Sequence, residues 1–231
     1  MDWKKYLRED EIYNLDSGEN VECRNIEITH LSEGFANKID KTILDVGGST
    51  EIDNFLRENG FKVTALSLMK SDNMIKSDMH EMPFKNEEFK TVLCSHTIEH
   101  SLSPYILLCE INRVLEKDGY LFLIFPEEGD FWTFGGHHYY CLTVRQIWSL
   151  LLKTGFKILK TSRFKFSYGS THTKIDLGLL CIKQKGWKHD LKSNVNLIPF
   201  NGEYIVHKKY VLIQDIFYMR NENKIKNTYM S

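Results

Sequence analysis

Between Thr42 and Ile182, short apolar runs bounded by glycine and polar residues alternate with segments whose apolar residues recur every three or four positions. Successive strand–helix–strand units produce that alternation, and they close into a parallel sheet. In the first unit, Thr42–Val46 is an apolar run ending at Gly47 and Gly48; Ile52, Phe55 and Leu56 then recur at helical spacing, and Gly60 stops the helix. Phe61–Leu68, Lys90–Ser95 and Tyr120–Phe125 predict further strands. Between the last two, Pro104 opens a helix whose Leu107, Leu108, Ile111, Val114 and Leu115 share one face, ending before Gly119. Thr143 and Gln146 form a capping-box pattern ahead of a Val144, Ile147, Leu150 and Leu151 stripe closed by Gly155. Two late strands, about Lys157–Thr161 and Leu177–Ile182, follow with no evident helix between them.

This order predicts an α/β core over residues 41–184, with an N-terminal extension over 1–40 and a C-terminal extension over 185–231. The β-rich segment Tyr204–Met219 predicts a lid, a hairpin or a subunit contact for a homo-oligomer. Composition removes several functional classes. Thirty basic against thirty-one acidic side chains leave a net charge of -1, so no global field steers the chain to nucleic acid or anionic lipid. The lysines of residues 183–192 are interrupted by Asp190 and read as a solvated surface. Apolar runs such as Leu121–Pro126 fall far short of the roughly 20 residues that span a bilayer. The opening residues mix acids with bases and carry no apolar stretch, so no secretory signal is expected. Five unclustered cysteines, an odd number without C-x-x-C, predict reduced thiols in a cytoplasm.

In an open parallel sheet, ligands bind beyond the carboxyl ends of the strands, which directs attention to ILDVGGST, residues 43–50. A Walker A loop would need Gly-Lys-Ser/Thr, which is absent. The dinucleotide fingerprint fails because Ser49 holds its second glycine position, and Glu51 at the following helix start would repel a pyrophosphate. A nicotinamide cofactor is therefore disfavoured.

With KSDMHEMPFKNEEFKTVLCSHTIEH (residues 76–100) and EINRVLEKDGYLFLIFP (residues 110–126) following in order, the chain resembles the class I S-adenosylmethionine-dependent methyltransferases of the small-molecule branch over about residues 42–184. The resemblance implies a Rossmann-like, doubly wound, mostly parallel seven-stranded sheet whose last strand is antiparallel. It implies S-adenosyl-L-methionine as cofactor, with Asp45, Gly47 and Gly48 along its methionine part. Asp78 would accept from the adenine amino group beside the Met79 backbone, and Ser95 and His96 would face the sulfonium and substrate. Each has a plain structural alternative as a turn, cap or strand-end partner.

Two departures from the family pattern weaken the cofactor site. Ser49 and Glu51 stand where relatives have glycines, and Ser67 stands where an acid usually clasps the ribose. A neutral acceptor in place of a charged one lowers affinity about tenfold. Asp72 is a candidate replacement in the short link from Ser67 to Asp78. The opposing reading is a decayed, non-catalytic scaffold that binds a partner. The stretch His96–His100 matches the inverted zinc-peptidase pattern but follows a strand directly, so a protease is not supported. No metal site is assigned, although Glu99 and His100 with His137 or His138 would form a cation cluster like that of some similar methyltransferases. Otherwise Glu99 and His100 would cap the following helix. For a small-molecule acceptor, such as a sugar or metabolite hydroxyl, the loop of His137, His138, Tyr139 and Tyr140 is the expected contact, and His96, His100 and His138 are the candidate bases.

Overall fold

The computed structural model describes residues 18–68, 73–127, 138–168 and 172–184. Helix α1 (Gly18–Ser32) precedes strand β1 (Thr42–Val46), helix α2 (Thr50–Glu58), and strands β2 (Lys62–Ser67), β3 (Met74–Lys76) and β4 (Phe89–Ser95). A 3-10 turn (Ile98–His100), helix α3 (Pro104–Val114), strand β5 (Leu115–Pro126), helix α4 (Val144–Lys153) and strands β6 (Phe156–Tyr168) and β7 (His172–Lys183) complete it. The seven strands lie in the order β3-β2-β1-β4-β5-β7-β6. β1 is parallel to β2 and β4, and β4 to β5, while β7 runs antiparallel to β5 and β6.

The central strands are buried on both faces, which is why they read as continuous apolar runs. Period-two alternation sends Leu121, Leu123 and Phe125 of β5 to the core under α3 and α4, and Tyr120, Phe122 and Ile124 to the opposite core with Leu31 and Leu56. Caps fix the helix starts. Ser49 accepts from Ile52 N–H, Ser103 from Ile106 N–H, and Thr143 and Gln146 complete a reciprocal capping box. The cap of α3 is thus Ser103, in place of the Glu99 and His100 expected from sequence.

Three features lie outside the sequence expectation. β3 is a three-residue edge strand, too short to leave a pattern. β5 begins at Leu115, because four residues are looped out where its register with β4 jumps from Leu115 to Tyr120. β6 and β7 form a hairpin longer than the two predicted strands; the polar alternation of KTSRFKFSY carries little apolar signal, while main-chain pairing continues to Tyr168 and His172. Helix α1 packs its buried Leu31 against Gly178 of β7, where a Cβ would stand 3.0 Å from Leu31 Cδ1. Asp72, His137, and the C-terminal segment including Tyr204–Met219 lie outside the described residues.

Candidate active site

Strand order reverses between β1 and β4: the chain runs outward from β1 through β2 and β3, then returns to place β4 on the other side. A crevice outside the carboxyl ends of these strands follows from that topology. Asp45, Gly47 and Gly48 leave β1, Ser67 ends β2, Asp78 follows β3, and Ser95 and His96 leave β4. The residues singled out by sequence therefore share one edge of the sheet.

Gly47 has φ +79°, and a Cβ there would stand 2.1 Å from Thr97 Oγ1. The Thr97 hydroxyl lies 3.0 Å from both the Val46 and the Ser95 carbonyl, so its hydrogen links the exits of β1 and β4. Only glycine combines that φ with that approach. The Gly47 and Gly48 N–H groups both donate to the Leu66 carbonyl, at 2.8 and 3.2 Å. They are turned into the sheet, so the loop lacks the outward amides that cradle a pyrophosphate, in agreement with the absent dinucleotide fingerprint.

Asp45 is 2% exposed, and burial together with the neighbouring Asp53 carboxyl holds its acid well above the ordinary range. Asp78 is fixed by a residue that sequence reasoning passed over. His80 donates its backbone N–H and its Nδ1–H to Asp78 Oδ1, both at 2.8 Å, and its Nε2 accepts from Ser103 N–H at 3.3 Å. One ring nitrogen donates and the other accepts, which sets the tautomer. The Asp-x-His spacing was the available signal. Asp78 Oδ2 is buried and meets no donor among the described residues, and neither does Ser95 Oγ meet a partner. An orphaned carboxylate oxygen costs about 1–3 kcal/mol or more, and an exocyclic amine would satisfy it. Asp45, Asp78 and Ser95 thus fit a nucleoside bearing a cationic side chain. Met79 sends its side chain into the core, so only its backbone could serve a ligand. Ser67 remains a neutral acceptor at the β2 exit.

The histidines divide into two groups. His96 sits at φ +49°, with Nδ1 3.5 Å from Glu99 Oε1 and Nε2 3.3 Å from Asp176 Oδ2. Arg24 of α1 binds Asp176 Oδ2 at 3.2 Å and pairs with Glu27, so one guanidinium and the His96 imidazole face three buried acids. His100 and His138 instead pack edge to face, ring centres 4.8 Å apart. Their approach is set by the main chain, since Tyr139 and Tyr140 N–H donate to the Glu99 carbonyl at 2.9 and 3.2 Å. Glu99, His100 and His138 offer one donor atom each within 4.8 Å of one another, as do Glu27, His96 and Asp176. In the second group the Arg24 guanidinium already sits on both carboxylates.

Residues 31–123 match a family described as a methyltransferase domain. A search of curated proteins finds no match. Among solved structures, a SAM-dependent methyltransferase from Archaeoglobus fulgidus aligns at 18% identity and TM-score 0.58, covering 72% of this chain and 95% of that one. One from Methanosarcina mazei aligns at 16% identity and TM-score 0.53, covering 64% and 96%. One from Thermotoga maritima aligns at 17% identity and TM-score 0.52, covering 69% and 89%. At these identities the likeness is one of fold.

Proposed function

We propose that the chain is a class I S-adenosylmethionine-dependent methyltransferase and that it methylates a hydroxyl of a small-molecule acceptor such as a sugar or other metabolite, a reading supported by the methyltransferase-domain match over residues 31–123. The observation that carries the cofactor half of this reading is Asp78, whose Oδ1 is held by His80 while its buried Oδ2 meets no donor among the described residues. Asp78 and the Met79 backbone would receive the adenine, Ser67 the ribose, Asp45, Gly47 and Gly48 the methionine part, and Ser95 the region of the sulfonium.

The cofactor supplies an electrophilic methyl group on a leaving group that is already good. What remains for the protein is to orient the acceptor in line, exclude water and take one proton. The His100–His138 pair supports the base role better than His96, because both His96 nitrogens already face carboxylates. As the acceptor oxygen takes the methyl group, its proton would pass to an imidazole nitrogen of that pair. Cys94, Cys109 and Cys181, buried thiols whose ionisation burial disfavours, support a reducing, cytoplasmic setting. Among the described residues no helix is long and apolar enough to cross a membrane.

The Glu99, His100 and His138 grouping favours a second reading, in which a divalent cation there acidifies the acceptor hydroxyl. Methyl-labelled S-adenosylmethionine incubated with a fractionated metabolite extract tests the proposal: one labelled product is expected, lost in His138→Ala. Label on no small molecule contradicts it. Loss of labelling after chelator treatment, restored by a divalent cation, selects the second reading.

A further inference from the structure

Asp53 has no part in the site as described so far, yet it lies directly beneath it. It occupies the first turn of α2, is 0% exposed, and its N–H donates to the Ser49 carbonyl at 2.9 Å. That turn folds its side chain under the glycine loop. A Cβ built on Gly48 would stand 3.3 Å from Asp53 Oδ1 and 3.3 Å from Asp45 Oδ2, so the two carboxyls flank the same glycine, near enough for each to act on the other's ionisation. No N–H or hydroxyl of the described residues donates to either Asp53 oxygen. The hydrogen available to this contact is therefore a carboxyl proton. Adjacent carboxyls in a dry site do not both ionise, and they titrate as a pair. Burial raises Asp53 to about 6, and burial together with the Asp53 carboxyl pushes Asp45 well above the ordinary carboxylate range. The other charges facing the pair are Arg57 of α2, which favours ionisation of both, and Glu99, whose charge meets that of Asp45 around Cys94. Arg57 itself is tied to the Val63 carbonyl at 3.3 Å.

We propose that Asp45 and Asp53 share one proton beneath the glycine turn and that the cationic methionine end of the cofactor displaces it, which makes Asp53 a positioning residue coupling cofactor binding to proton release. This rests on the cofactor reading above. The balance is simple: one carboxyl O–H bond breaks, the proton leaves to solvent, and the ligand's positive charge takes its place opposite the carboxylates. No electrons move. In the sequence Asp53 resembles any acid placed in a first helical turn for its dipole, and its complete burial separates it from that role.

The test is calorimetric titration of the full chain with S-adenosylhomocysteine at pH 7, in buffers of different ionisation enthalpy. The slope of the apparent enthalpy against buffer enthalpy counts the protons released. Wild type should release about half a proton or more per ligand, and its affinity should tighten with rising pH by up to about tenfold per unit. Asp53→Asn keeps the shape and gives Asp45 an amide donor, so it should bind within about tenfold of wild type and release almost no proton. Binding by wild type with zero slope, or an unchanged slope in a folded Asp53→Asn, overturns the proposal while leaving the cofactor reading intact. Absence of any binding by folded wild type overturns the cofactor reading itself, and the proton release with it. Should Asp53→Asn fail to fold, the pH dependence of wild-type affinity decides: a flat profile between pH 5.5 and 8 overturns the proposal. The ammonium is common to S-adenosylmethionine and S-adenosylhomocysteine, and the sulfonium is not; equal release by both assigns the effect to the ammonium.

Discussion

His80 Nδ1 lies 2.8 Å from Asp78 Oδ1, and the same ring accepts the Ser103 N–H, so the start of α3 holds the Asp78 carboxylate in place. Replacing His80 by Ala should weaken S-adenosylhomocysteine binding about tenfold by freeing Asp78 to rotate. His80→Asn, which keeps a donor, should recover part of that loss. A titration of both variants, with thermal unfolding as the control for folding, separates positioning from general damage.

Gly47 is required by the protein itself before any ligand is considered. Gly47→Ala combines φ +79° with an overlap on Thr97, and should cost about 2–4 kcal/mol in urea unfolding. Thr97→Ala in the same chain should recover only part of this, since a Cβ at position 47 would still stand 2.9 Å from Thr97 Cβ and the φ cost remains. Full recovery would mean that backbone strain contributes nothing.

The Asp45–Asp53 pair predicts how the stability of the ligand-free protein varies with pH. Both acids have native values raised above the unfolded 3.8, so the native state binds more protons and stability falls as pH rises from about 4 through 6 and beyond. Asp53→Asn should flatten this fall. Chemical denaturation at a series of pH values gives the difference between the two proteins, in which contributions from all other groups cancel.

Arg24 holds α1 to the sheet through Asp176 of β7 and pairs with Glu27 of its own helix, both carboxylates being 0% exposed. Arg24→Met should destabilise by about 3–5 kcal/mol, because Glu27 and Asp176 would keep their charge without the guanidinium. Adding Glu27→Gln and Asp176→Asn should restore much of it, as measured by denaturant midpoint. A single-variant loss no greater than that of a surface arginine would show that the cluster is not as dry as its burial implies.

The opening unit of the fold was legible because β1, Gly47, the α2 stripe and Gly60 each send a separate local signal toward the same arrangement. The order of the core and the two helix-poor late strands were readable for the same reason. β3 was not, since three residues carry no period, nor was the full β6–β7 hairpin, whose polar alternation carries little apolar signal while main-chain pairing continues. At the site, Asp45, Asp78 and Ser95 stand together at the sheet edge as the motif order implied. Ser49, read as a departure from a glycine-rich loop, is the N-cap of α2. The Arg24–Asp176 contact spans 152 positions and is made by residues without any motif, so tertiary packing alone could reveal it. Asp53 was hidden for a different reason: its position in the helix gives an ordinary explanation for an acid.

Binding of S-adenosylhomocysteine to the folded full chain, followed by calorimetry, bears most directly on the central claim that the β1 exit and Asp78 form a nucleoside-sulfonium site. Micromolar affinity is expected in wild type, with loss of at least tenfold in Asp78→Ala and no detectable binding in Asp45→Arg. A correctly folded wild-type protein that takes up no ligand, or one that binds equally well after both substitutions, would contradict it.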